Sequence, residues 1–117
     1  MSVRMNRVAV AIKETIGEAL MKDINTSGFG MLTVTEVFVT PDLRLAKVYI
    51  SHFRSNKTNQ EVLAFMDECL KQLRMTVGRK LQLKFTPELK FYIDQTMEKV
   101  DRLEEIFKQI HTEEKNR

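Results

Sequence analysis

Val8, Ile12, Ile16, Leu20 and Ile24 recur at every fourth position near the start of the chain, with Ala9, Ala11 and Ala19 beside them. That spacing lines apolar side chains along one face of a helix. Arg4, Arg7, Lys13, Glu14 and Lys22 fall largely off the stripe. Gly17 weakens the helix slightly, because an interior glycine is poorer than alanine by about 1 kcal/mol. Turn-forming residues cluster in Asn25-Thr26-Ser27-Gly28 and predict its end. From Met31 to Thr40 the residues change to Val, Thr, Leu and Phe, types that suit a pleated surface. Leu32, Val34 and Phe38 share one parity, but Glu36 interrupts it, while Val37 and Val39 join Thr33 and Thr35. A bulge or a strand buried on both faces would account for this.

Thr40-Pro41-Asp42-Leu43 reads as a turn, with Pro41 setting φ at its first inner position. The return strand, Leu45 to Phe53, alternates cleanly: Ala46, Val48 and Ile50 against Lys47, Tyr49 and Ser51. Thr58-Asn59-Gln60-Glu61 matches a capping box and opens a long helix. Val62, Met66, Cys69, Leu70, Leu73, Val77 and Leu81 form its apolar stripe, and Gly78 is placed to end or bend it. Pro87 belongs at the start or edge of a third strand, in which Leu89, Phe91 and Ile93 alternate with Lys90, Tyr92 and Asp94. Asp94 or Thr96 would cap a last helix with a narrow seam of Val100, Leu103, Phe107 and Ile110. The predicted order is helix, strand, strand, long helix, strand, helix: an α+β two-layer sandwich with helices on the apolar face of a sheet. Strand order stays open.

Composition narrows the class. A chain of 117 residues suits one domain, since domains commonly run to about 100–150 residues. The expected limits are residues 1–110, followed by a polar, fraying tail over 111–117. No apolar run approaches the roughly 20 residues of a membrane-spanning helix, and no signal-peptide core follows Arg4 and Arg7. A single cysteine, Cys69, points to a reducing, cytoplasmic setting. The net charge of +3 is unevenly spread. Arg44 to Lys57 holds four basic residues and Lys71 to Lys84 five, and neither stretch contains an acid. Placed side by side, they would make a basic surface suited to a phosphate backbone.

Chemistry of other kinds finds little support. Cys69, His52 and His111 are far apart and lack zinc-ligand spacing. Cys69 reads as a small buried hydrophobe, and His52 as a surface histidine or a nucleic-acid contact. There is no nucleophile elbow, and Gly28-Phe29-Gly30 lacks the lysine of a phosphate loop. Glu98, Asp101, Glu104 and Glu105 read as a solvated helix face. Two readings stay open for Tyr49 and Tyr92: ring faces for bases or sugars, or simple cover for the sheet. The residues alone therefore indicate a small RNA- or DNA-binding domain, with no cofactor and no metal expected. A protein-protein adaptor that docks through the last helix is the alternative.

Three blocks carry a resemblance to a known family. They are Arg4-x-x-Arg7-Val8 with Ile12, Ile16 and Leu20; Leu32 to Val37 continued by Pro41-Asp42-Leu43-Arg44-x-Ala46-Lys47-Val48-Tyr49-Ile50-Ser51; and Leu73-Arg74, Leu81-x-Leu83-Lys84, Pro87-Glu88-Leu89-x-Phe91 and Asp94. Over about residues 4–110 the chain resembles ribosome-binding factor A, a bacterial family of small-subunit maturation factors. The resemblance implies a KH-like fold of the second type, with a kinked long helix and a C-terminal helix. Family members lack the GxxG loop, and many carry Ala-x-Gly at the kink; here the matching positions are Cys69-Leu70-Lys71, without the glycine. It further implies a non-enzymatic, cytoplasmic, monomeric factor. Such a factor binds the immature small ribosomal subunit and its 16S rRNA and aids late maturation and rRNA processing. In some bacteria an assembly GTPase helps release it. Arg4, Arg7, Arg44, Lys47, Arg74, Arg79, Lys80 and Lys84 are the expected RNA-facing set, chosen because they lie off the apolar stripes in acid-free neighbourhoods.

Overall fold

A computed structural model describes residues 3–95. The seam at Val100, Leu103, Phe107 and Ile110, the domain limit at 110 and the tail 111–117 lie outside the described residues. Helix α1 spans Val3–Lys22 and turns Val8, Ile12, Ile16, Ala19 and Leu20 inward. Thr15 is buried on the same face, and its hydroxyl donates to the Ala11 carbonyl at 2.7 Å, so no polar group is left unpaired there. Strand β1 is Met31–Val39, β2 is Leu45–Phe53 and β3 is Glu88–Ile93. Between β2 and β3 lie helix α2, Asn59–Glu68, and helix α3, Leu70–Leu81.

The sheet order is β1-β2-β3. The first pair is antiparallel and the second parallel. A parallel pair needs a crossover from one end of the sheet to the other, and α2 with α3 supplies it. The result is the α+β, α-β-β-α-α-β arrangement expected of the KH-like fold, with a kinked second helix. Ile12, Ile16, Val48, Ile50, Val62, Met66, Leu73 and Val77 have no exposed surface and form the centre of the core. Burial of each such side chain contributes roughly 1.5–3 kcal/mol.

The irregular pattern of β1 is a bulge. Val34 faces Ile50 and Glu36 faces Tyr49, so Thr35 is an extra residue on the β1 side. The extra residue reverses the alternation. Val34 before it and Val37 and Val39 after it all point into the core, while Glu36 and Phe38 turn outward. The Thr35 hydroxyl donates to Asp94 Oδ2 at 2.6 Å, linking β1 to the end of β3 across the middle strand. Asp94 is thus tied to the sheet.

The break in the long helix falls at Cys69, where the family resemblance put the kink, whereas Gly78, expected to end or bend the helix, lies inside α3. Cys69 has φ −85° and ψ −4°, and its N–H is shared between the Phe65 and Met66 carbonyls. A negative φ is open to any L-residue, so the kink forms without a glycine. At the other end of α2, Thr58 and Glu61 complete the capping box. The Glu61 N–H donates to Thr58 Oγ1 at 3.1 Å.

Candidate nucleic-acid interface

Leu73 and Val77 anchor α3 in the core, which sends Lys71, Arg74 and Arg79 outward. These three line a groove of about 610 Å³ between α3 and the segment 82–87, together with Met75, Gly78 and Thr86. Arg74 Nη2 donates to the Thr86 carbonyl at 3.4 Å, holding the guanidinium over the groove. A side chain at position 78 would put its Cβ 2.8 Å from Thr86 Oγ1, so glycine permits the close approach of this segment. Helix α3 stops where Gln82 adopts a left-handed conformation, with φ 50°. The next residues present Lys84 and an exposed Phe85, with the Lys84 ammonium 5.7 Å from the ring centre.

All eight predicted residues are exposed. Among the described residues none of them stands in an ion pair; the pairs present are Lys22–Glu18 and Lys57–Glu61. The eight do not form one surface, however. Arg74 and Arg79 share the α3 groove. Lys80 joins Arg7 in a second groove between α1 and α3, where Glu14 and Glu18 also contribute. Arg4 lies near the start of α1, less than one turn before Arg7. Arg44 sits at the same end of the sheet as segment 82–87, its carbonyl accepting from the Glu88 N–H at 2.8 Å. Lys47 is on the sheet face turned away from the helices, opposite Phe38 on one side and Lys90 on the other.

The two basic stretches therefore meet only in part. Arg44 approaches segment 82–87, but Arg54 and Lys57 are carried to the far end of β2. There Arg54 lies over the Phe53 ring and Lys57 over the Phe29 ring. His52 is half-buried and hydrogen-bonded through Nε2 to Asn59 Oδ1 at 2.8 Å, so it serves the start of α2. Sequence reasoning left Lys71 and Phe85 out of the set. Lys71 could have been found three positions before Arg74 on the same helix face, whereas nothing in the pattern around Phe85 marks it as exposed.

Ionisable groups add little reactive chemistry. Burial, then the Glu68 carboxylate, pushes the Cys69 thiol above its ordinary range, which disfavours the nucleophilic thiolate. The Thr40 hydroxyl, then the Arg44 N–H, holds the Asp42 carboxyl below its ordinary range. Among the described residues no three His, Cys, Asp or Glu side chains are grouped to hold a metal ion. Among them, too, no helix is long and apolar enough to cross a membrane.

Comparison with known proteins places this arrangement. A family model described as ribosome-binding factor A matches residues 4–107. A ribosome-binding factor A from Desulforamulus reducens is 36% identical over 114 residues, covering 97% of this chain and 95% of the relative. The crystal structure of ribosome-binding factor A from Thermus thermophilus superposes with a TM-score of 0.66 at 19% identity, over 76% of this chain and 94% of that one. A homology model of the Thermus factor, fitted into a cryo-electron-microscopy map of its complex with the 30S subunit, gives a TM-score of 0.61 at 19% identity. That match covers 81% of this chain and 96% of the other. At such identities the two structures attest the fold, while the family match and the close relative run through nearly the whole sequence. The chain belongs to the ribosome-binding factor A family.

Proposed function

We propose that this chain is a cytoplasmic, non-catalytic assembly factor that binds the immature small ribosomal subunit and its 16S rRNA and aids late maturation and rRNA processing. The observation that carries the reading is the family match over residues 4–107. The fitted complex of the Thermus factor with the 30S subunit adds support. The RNA-facing surface is centred on the α3 groove, with Arg74 and Arg79 in it and Lys80, Lys84, Arg44, Arg7 and Arg4 around its end of the fold. Lys47 acts from the other sheet face. Guanidinium and ammonium groups neutralise phosphates and release counterions. A factor that binds one rRNA conformer more tightly than another shifts the population toward it without making or breaking a bond.

The test is sedimentation of the tagged full-length protein through a gradient that resolves free subunits, assembled ribosomes and polysomes. Co-migration with free small subunits supports the assembly role. Migration with polysomes overturns it. A protein-docking role is the second reading, favoured by exposed Val10, Met21 and Met31 beside β1, an edge strand of the described sheet. Binding to ribosomal protein but not to rRNA would select it.

A further inference from the structure

The sheet has a second surface that the α3 groove does not explain. On the face turned away from the helices, Phe38, Tyr49 and Tyr92 form a continuous aromatic row, one ring from each strand. The Phe38 and Tyr49 rings meet edge to face with centres 5.8 Å apart, and Tyr49 and Tyr92 stack at 5.4 Å. Phe38 keeps 40% of its surface exposed. Beside the row, Lys47 and Lys90 stand directly opposite one another on β2 and β3, both exposed. Like charges in opposed positions destabilise a sheet, and among the described residues neither lysine has a carboxylate partner. Glu36 and Glu88 lie on the same face, Glu36 opposite Tyr49 and Glu88 opposite Leu45. The face thus combines partly exposed rings, Phe38 the most open and Tyr49 and Tyr92 half-buried against each other, with two lysines that stand among the glutamates of this face and, among the described residues, form no ion pair. This pairing suits the flat π-faces of bases strung on a polyanionic backbone.

We propose that this outer sheet face is a stacking platform for unpaired bases of single-stranded RNA, with Phe38, Tyr49 and Tyr92 meeting bases and Lys47 and Lys90 meeting phosphates. The inference rests on the RNA-binding reading above and adds to it a second contact surface, on the opposite side of the molecule from the α3 groove. Lys47 then has a defined place in the RNA-facing set. Sequence alone could not join it to Lys90, because the two are brought together only by the parallel register of β2 and β3.

The chain offers a direct probe. It has two tyrosines and no tryptophan, so, under excitation that phenylalanine does not absorb, its intrinsic emission comes only from Tyr49 and Tyr92, both on this face. The full-length protein is titrated at low salt with a short oligouridylate and, separately, with an abasic ribose-phosphate oligomer of equal length. Binding of each is followed by the anisotropy of an end label. Stacking predicts that oligouridylate quenches tyrosine emission in step with binding, whereas the abasic oligomer binds with little quenching. A Tyr49→Thr variant and a Tyr92→Thr variant should each bind oligouridylate about tenfold more weakly. Each should bind the abasic oligomer as the parent does. Circular dichroism and the unfolding midpoint confirm that the variants fold. Oligouridylate binding with unchanged tyrosine emission and unchanged affinity in both variants would overturn the platform while leaving RNA binding by the α3 groove intact. No binding of either oligomer would overturn both readings. Tyrosine emission already shielded from acrylamide, and unaltered by oligouridylate, would place another part of the chain on this face and overturn the platform alone.

Discussion

Gly30 shows how a single residue can hold a junction in this fold. Its φ is +65°, and a Cβ there would run into the Phe53 carbonyl oxygen and lie 2.9 Å from the Arg54 carbonyl carbon. Both neighbours are backbone, so neither can rotate away. Gly30→Ala should therefore lower stability by about 2 kcal/mol or more, read as a lower urea midpoint with an unchanged slope. Asp42 acts through protonation. The Thr40 hydroxyl and the Arg44 N–H bond its carboxylate and lower its folded pKa. The stabilisation is therefore complete above the unfolded carboxylate range and fades as pH falls through the lowered folded value. Thermal midpoints of the parent and an Asp42→Asn variant should differ near neutral pH and converge in acid. An equal gap at every pH would count against this role.

At the scale of the element, the bulge in β1 and the break after α2 are the two irregularities that shape the fold. Thr35 is the unmatched residue of the bulge, and its bond to Asp94 spans all three strands. Thr35→Val keeps the branched shape and removes the hydroxyl. It should lower stability by about 1.5–3 kcal/mol, the range for a hydrogen bond to a charged group; a denaturant titration measures it. The break at Cys69 rests on ordinary right-handed dihedrals. Cys69→Ala should therefore retain the kink and shift stability by less than about 1.5 kcal/mol, since only a partly buried sulfur is lost. A larger loss would mean that the thiol itself holds the two helices.

At the scale of the whole molecule, charge placement decides the expected function. Arg74, Arg79 and Lys80 follow one another on the outward side of α3 and reach two adjoining grooves. Changing all three to glutamate should weaken rRNA binding and reduce the slope of log affinity against log salt by about 2, given roughly 0.7 per phosphate contact on a single strand. The slope comes from filter binding across a salt series, and an unchanged slope would remove these residues from the interface.

The apolar periodicities of α1 and of the 58–81 segment, the alternation in β2 and the Thr58–Glu61 cap were all legible in the sequence. Each follows from contacts within a few turns or along one strand. The disturbed alternation around Glu36 announced an irregularity, but the choice between a bulge and two-sided burial needed the register against β2. The position of the kink was legible only through the family resemblance, which put it at Cys69-Leu70-Lys71; the dihedrals at Cys69 are open to nearly every residue type and leave no mark in the periodicity. For the candidate interface, the sequence identified which residues were basic and outward-facing. Tertiary structure sorted them by surface. It put Arg74 and Arg79 in one groove, Arg7 and Lys80 in another, and Lys47 beside Lys90 on the far face, while it carried Arg54 and Lys57 to the other end of β2. Local pattern determines which side of an element a residue occupies. Which elements become neighbours depends on strand order and crossover, and these are decided by burial of the whole core at once.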